Sequence, residues 1–509
     1  MKPSTRIVFN TLIQYARTFI IVCISLYSSR IILKSLGEND YGIYSLVGGV
    51  ISMLAFINLS VSSATQRYLS FYQGKMDVEM QVKTFNNSVF IQLFLGIILA
   101  VGMYFLTPFI FDGGLNIPPE KTESATIVYY SMIISVFFSM LSSSYLAALI
   151  AHENILFTSV IQIAETFFKL LIAISLLYIL SNHLIYYSIL LTVVSIVNFL
   201  AYSIYCHKKY EECKHLGIKK FDFKMLKEMF SFSGWTLYGT GCVIARTQGI
   251  AVFLNNFFGT AINAAYGISF QVQGHFSFIS TSLLNAIRPQ IIKAEGNHNR
   301  QKMLQLSELA SKFAFLLLAM IVIPAAFEME VILSIWLENV PEYTIVFTRF
   351  VLFTALADQL TSGLIYANQA IGNIKTYSLI INTMKVLTLP AAYLCLYNGL
   401  SPVSVMVCML IFEFICCISR LFFLKKTAGL SVRGFIKRVF VPEIIPVSGS
   451  IFVCWICHLY LPVYLFWVSF LLSIAIVCTT AYFLGLSPDE KQVIDRNRAS
   501  IKLFFKKNY

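Results

Sequence analysis

Charge is what this sequence has least of. Only 12% of its 509 residues are Asp, Glu, Lys or Arg, about half the share usual in soluble proteins. It also has no polar stretch long enough to build a water-soluble domain. Hydrophobic residues make up 57% and the mean hydropathy is +0.74, more apolar surface than a soluble globule can cover. A cytosolic enzyme, a nucleic-acid binder and a secreted disulfide scaffold are thereby excluded. No G-x-x-x-x-G-K-[ST], H-E-x-x-H or G-x-S-x-G occurs, so the sequence offers no Walker-type ATPase, metallohydrolase or serine-hydrolase motif. It is read as a non-enzyme without metal or cofactor. The 11 cysteines are scattered and lie mostly in apolar segments. Without zinc-like paired spacing they read as small core residues. Cys454-Trp455-Ile456-Cys457-His458 fits the haem-attachment pattern. It lies in a lipid-embedded stretch, however, and packing cysteines beside an interfacial aromatic account for it better.

What is abundant is the long apolar run. A helical span takes about 20 such residues. Runs near 7–33, 42–66, 83–108, 125–150, 155–180, 184–206, 229–256, 261–287, 307–327, 344–368, 375–397, 401–424, 440–462 and 464–486 predict about fourteen spans. The fold class is an all-α polytopic membrane protein. The N-terminal run lacks a cleavage signal and is expected to be a full span. Lys and Arg, part of a net charge of +13, crowd into alternate loops: Arg67 to Lys83, Lys208 to Lys227, Arg288 to Lys302, Lys425 to Arg438, and the tail. By the positive-inside rule both termini are expected on the cytoplasmic side. The opposite loops are short, the longest near 111–124 and 328–343, so function is expected between helices.

An internal repeat is legible. Leu36-Gly37 with Tyr41-Gly42-Ile43 returns as Phe258-Gly259 with Tyr266-Gly267-Ile268, and Asn154-Ile155 with Ser159 returns as Asn373-Ile374 with Ser378. Thr126-Ile127-Val128 and Thr344-Ile345-Val346 keep a similar offset. The expected organisation is a six-helix lobe at 1–207, a basic cytoplasmic linker at 208–228 and a second six-helix lobe at 229–424. A basic loop at 425–439, two extra helices at 440–486 and a cytoplasmic tail at 487–509 follow. Parallel repeats with a site between them are a transporter pattern.

Ionisable groups inside spans are costly and therefore candidates for function. Asn10, Gln14, Arg17, Ser25 and Ser28 share one face of the first span. Arg17 reads either as a cavity-facing cation for an anionic substrate or as half of an interhelical pair. Arg30, near the outer end, binds or merely snorkels. Glu165 and Lys169 form an i,i+4 pair that either neutralises itself or leaves Glu165 to couple protonation to transport. Arg246 has no acid nearby in sequence and, with Gln248, is the leading anion-site candidate. Gln271, His275, Ser282 and Asn285 form a polar stripe suited to sugar hydroxyls. Asp358 and Lys385 are placed to pair across helices, and Glu413 is a further deep acid. Glu165, Asp358 and Glu413 are the ion-coupling candidates. The central spans carry more cation than anion, which favours a phosphate-bearing substrate.

Several of these stretches resemble a known family. Tyr27-Ser28-Ser29-Arg30, Leu36 to Tyr44, Ala64-Thr65-Gln66-Arg67-Tyr68-Leu69, Phe232-Ser233-Gly234-Trp235, Ala264 to Ile268, Pro289 to Lys293 and Pro341-Glu342-Tyr343-Thr344 are similar to Wzx-type polysaccharide flippases. These belong to the multidrug/oligosaccharidyl-lipid/polysaccharide exporter superfamily. The resemblance covers about 1–430. It implies two lobes in alternating access and an undecaprenyl-pyrophosphate-linked oligosaccharide (O-antigen, capsule or exopolysaccharide repeat) moved to the outer leaflet of a bacterial inner membrane. It also implies arginines lining a central cavity, with Arg17 and Arg30 in comparable positions and Arg246 in a plausible one. A polysaccharide polymerase and glycosyltransferases are the partners expected beside the lipid bilayer. The alternative is an ion-coupled multidrug exporter on the same scaffold, which would call for a more acidic cavity.

Overall fold

A computed structural model describes residues 3–52, 55–109, 111, 119–178, 182–214, 217, 221–337, 340–460, 462–488 and 490–491. Among these residues there is no strand. The chain divides into two compact units, Asn10–Leu237 and Tyr238–Tyr509 with Met1–Phe9.

The first unit is built from α1 (Pro3–Ser52), α2 (Ala55–Gly74), α3 (Val78–Phe109), α4 (Thr122–Ala151), α5 (Ile155–Ser175), α6 (His183–Lys209), the single turn α7 (Glu211–Lys214) and the start of α8 (Phe223–Phe258). The central helix is α4, which packs on α2, α3, α5 and α6. Toward its C-terminal end the buried residues include a run of small ones: Ser143, Ser144, Ala147, Ala148 and Ala151. Small side chains let backbones approach, and hydroxyls bond across helices where lipid offers no alternative. The Ser88 hydroxyl accordingly lies 2.7 Å from that of Thr65 and 2.8 Å from that of Ser144, while the Gln92 amide donates to Ser143 and Asn58. Two asparagines bind the backbone of the basic segment that follows α7. Asn86 exchanges two hydrogen bonds with the Gly217 backbone, and Asn87 two with that of Asp222.

The second unit contains α9 (Thr260–Gly296), α10 (Arg300–Phe327), α11 (Met329–Trp336), α12 (Thr344–Gln359), α13 (Ser362–Ile371), α14 (Ile374–Tyr377), α15 (Thr383–Val386), α16 (Thr388–Tyr397), α17 (Val403–Ala428), α18 (Val432–Phe435), α19 (Val441–Tyr460) and α20 (Phe466–Thr480). The run α14–α16 is continuous through a π-helical turn, Ser378–Asn382, and α18–α19 through another, Ile436–Phe440. Buried at the middle, α10 packs on α9, α12, α13, α19 and α20. Gly363 of α13 lies so close to it that a Cβ there would be 2.0 Å from the Ser307 carbonyl oxygen. The Gly363 N–H donates to the Ser311 hydroxyl at 3.0 Å.

Eleven helices among the described residues are long and apolar enough to cross a membrane, and the pair α12–α13, bent by 44°, makes a twelfth. The chain is thus a multi-pass membrane protein, with Phe19, Phe105, Phe422 and Leu471 among many large apolar side chains facing outward. Of the fourteen expected spans, those near 42–66 and 261–287 fall outside this set. Residues 53–54 of the former lie outside the described residues. Residues 261–287 do form a helix, α9, but its polar side chains dilute its hydropathy.

The repeated Asn-Ile pairs occupy matching positions. Asn154 precedes α5 and Asn373 precedes α14, each after a left-handed residue, Glu153 (φ 58°) and Gly372 (φ 89°). One half thus uses glycine for this turn, and the other places a side chain in a conformation that costs most residues about 1 kcal/mol.

Candidate functional site

Five ionised side chains meet inside the second unit. Arg246 comes from α8, Asp358 from the end of α12, Lys385 from α15, and Glu413 and Arg420 from α17. Glu413 and Arg420 are seven residues apart, two turns on one helical face. Asp358 sits where α12 breaks from α13, a break that frees backbone groups. Arg420 takes these up, its Nη1 donating to the Asp358 carbonyl at 3.4 Å and to the Thr361 hydroxyl at 3.0 Å. Its Nη2 reaches Asp358 Oδ1 at 2.8 Å and Glu413 Oε1 at 3.3 Å. Lys385 Nζ lies 3.1 Å from Glu413 and 3.5 Å from Asp358. Arg246 Nη1 donates to Glu413 Oε2 at 3.2 Å.

Glu413 and Arg420 are 1% exposed. Burying such charges is tolerable only because each has an opposite partner. Three cations against two carboxylates leave the cluster one positive charge in excess. Nε of Arg246 and of Arg420 lacks a hydrogen-bond partner among the described residues. The cluster opens on a cavity of about 310 Å³ lined by Arg246, Asp358, Lys385, Glu413, and Gln273 and Ser277 of α9. A broken span and a π-helical turn beside buried charge are features of ligand sites in membrane proteins.

The sequence candidates divide among several places. Arg246, Asp358, Lys385 and Glu413 converge here, and the acid that local sequence did not offer Arg246 is Glu413, 167 residues on. Gln248 is exposed on α8. Gln271, His275 and Asn285 are exposed on α9, whereas the polar α9 residues lining the cavity are Gln273, Ser277 and Thr281. That stripe has regular spacing of four and was open to detection. Arg420, not among the sequence candidates, carries a sequence signal as a cation two turns from Glu413. The π-helical turn before Lys385 has no such signal.

The first unit holds a smaller group. Arg17 Nη1 donates to Gln162 Oε1 at 2.8 Å, and Glu165 pairs with Lys169 at 2.6 Å. Gln14 is buried at 4% exposure. Arg30 falls on α1, its side chain outside the described residues.

No protein-family profile matches this sequence, and no curated protein does. Solved structures match its fold. A MATE protein in the bent conformation has a TM-score of 0.72 at 14% identity, covering 84% of this chain and 98% of that one. An outward-facing multidrug resistance MATE family transporter of the MOP superfamily scores 0.69 at 14% identity, over 84% and 96%. A MOP superfamily transporter from Pyrococcus furiosus, whose binding pocket is described as of reverse polarity and suggestive of a different function, scores 0.69 at 13% identity, over 84% and 96%. At these identities the likeness is one of fold: the chain has the fold of the MATE transporters.

Proposed function

We propose that this protein is a membrane exporter of the ion-coupled multidrug type, moving an organic solute by alternating access. One observation carries the reading: a cluster of five charged side chains, four of which line a cavity within a bundle of apolar helices. A purely structural membrane protein has no use for so costly a cluster. The fold it shares with MATE transporters supports the same reading. Asp358 and Glu413 are the acids best placed for coupling, because a cation or proton binding there would loosen the hold of Lys385 and Arg420. Glu165 is the corresponding candidate in the first unit.

A second reading is favoured by the sign of the charge. Cations exceed carboxylates in the second-unit cluster, and Arg17 with Lys169 exceeds Glu165 in the first. Such an excess suits an anionic cargo, an undecaprenyl-pyrophosphate-linked oligosaccharide passed outward across a bacterial inner membrane with both termini cytoplasmic. Arg246 would then meet the pyrophosphate at the second-unit cavity. A polymerase and glycosyltransferases would be its partners. The membrane potential, worth about 2.3 kcal/mol per charge at 100 mV, would drive an anion outward.

Proteoliposomes separate the two. Under an imposed sodium or proton gradient, the exporter reading expects efflux of a cationic dye that Glu413→Gln reduces at least tenfold. The flippase reading expects a fluorescent lipid-linked oligosaccharide to move beyond an impermeant quencher, dependent on Arg246. Movement of neither cargo would defeat both.

A further inference from the structure

The two helices beyond the second lobe carry a buried acid of their own. Glu443, at the start of α19, is 3% exposed, and neither of its carboxylate oxygens has a hydrogen-bond partner among the described residues. Glu443 is not among the deep acids read from the sequence, Glu165, Asp358 and Glu413.

Its surroundings decide its charge. Lys312 of α10, 2% exposed, is the cation that bears on it electrostatically. That ammonium is already engaged by Glu490 Oε2 at 2.8 Å. Arg438, on the π-helical turn before α19, is engaged as well, in two bonds of 2.7 Å to Glu308 of α10. The other charged groups on elements packed against α19 are Arg300 and Lys302 on α10, Glu295-bound in the case of Arg300, then Lys437 on the π-helical turn and Lys491 after α20. Helix α20 and the turn Ala481–Gly485 carry none. Among the described residues the ion pairs here join Lys312 to Glu490 and Arg438 to Glu308, and none reaches Glu443. A carboxylate ion without donor or free cation is far costlier to bury than the neutral acid.

We propose that Glu443 is a proton-binding site of the two C-terminal helices, loaded while Glu490 holds Lys312 and emptied when Lys312 turns to it. On emptying, the Glu443 O–H bond breaks, the proton passes to water, and the new carboxylate pairs with the Lys312 ammonium. Glu490 loses nothing essential, because its Oε2 also accepts from the Ser487 N–H at 2.7 Å and its carboxylate is 17% exposed. A cavity of about 480 Å³, lined by Lys312, Glu308, Arg438, Ser487 and Glu490, opens beside the Lys312–Glu490 pair. It is polar and roomy enough for the water that takes the proton. The site does not depend on which solute the protein carries.

The test uses the full chain in lipid nanodiscs. Dicyclohexylcarbodiimide attacks protonated carboxyls in apolar surroundings, and mass spectrometry locates the adduct. The expected result is an adduct on Glu443 at neutral pH and none on Glu308 or Glu490. Glu490→Gln frees Lys312 and should lower the Glu443 adduct about tenfold, the effect of about 1.4 kcal/mol. Adding Lys312→Met should restore it. Infrared spectra should contain a carboxylic-acid carbonyl band that Glu443→Gln removes, a readout independent of reagent access. Absence of both adduct and band overturns the proton site, and an adduct indifferent to Glu490→Gln overturns the exchange of partners.

Discussion

At the scale of the residue, burial decides what a charge is worth. Arg420 reaches two carboxylates, a hydroxyl and a backbone carbonyl from a site 1% exposed. Arg420→Ala leaves Asp358 and Glu413 short of a partner and is expected to cost about 3–5 kcal/mol. Thermal unfolding in detergent, followed by loss of the monodisperse peak, measures it. Arg420→Lys should recover only part of the loss, since one ammonium cannot reproduce the planar fork. The Glu165–Lys169 pair is the contrast, with side chains 29% and 44% exposed. Lys169→Ala is expected to cost only about 0.3–0.5 kcal/mol, a barely measurable shift in the same melt. A shift as large as that of Arg420→Ala would mean that Lys169 has a buried role this pairing does not describe.

At the scale of the element, close approach takes over from charge. Gly363→Ala would set a methyl group 2.0 Å from a backbone oxygen of α10, forcing the helices apart at a cost of about 1–3 kcal/mol. The melt should fall accordingly, while Gly267→Ala, with open space around it, should leave it unchanged. Helices were the legible part of this protein, because an apolar run of span length announces itself. Their interruptions were not. The break after Gln359 and the π-helical turns at Ser378–Asn382 and Ile436–Phe440 follow from packing among distant segments, and neither proline nor paired glycines mark the first two. In the expected spans near 42–66 and 261–287, Asn58 and Gln66 in one and Gln271, Gln273 and His275 in the other lower the hydropathy. The site followed the same rule. Each charged residue could be named from sequence, but Arg246 and Glu413 could not be joined across 167 positions.

At the scale of the whole molecule, loop charge sets the orientation. A cysteine replacing Lys426 should react with an impermeant maleimide only after cells are permeabilised, and one replacing Glu342 should react in intact cells. The reverse pattern would invert the expected topology. The chain forms two compact units that meet in sequence at 237/238. Asn86 and Asn87 tie the segment at Gly217 and Asp222 to the first unit. No composition change marks those two asparagines as fasteners, since their targets are backbone atoms.

The charge cluster has a consequence for biogenesis. Ribosomes deliver this chain to the membrane from its N-terminus, so Arg246 and then Asp358 arrive before their partners on α15 and α17. An ionised residue at mid-span opposes insertion by about 2.5–3.5 kcal/mol. The segment with Asp358 must either wait beside the insertion machinery or enter with its acid protonated until Lys385 and Arg420 follow, 27 and 62 residues later. Helix α17 brings Glu413 and Arg420 together, an internal salt that enters with no net charge between them. The last helix of the lobe to be made is therefore the one that brings ion-pair partners to those already waiting, and a chain halted before it would be a natural target for membrane quality control.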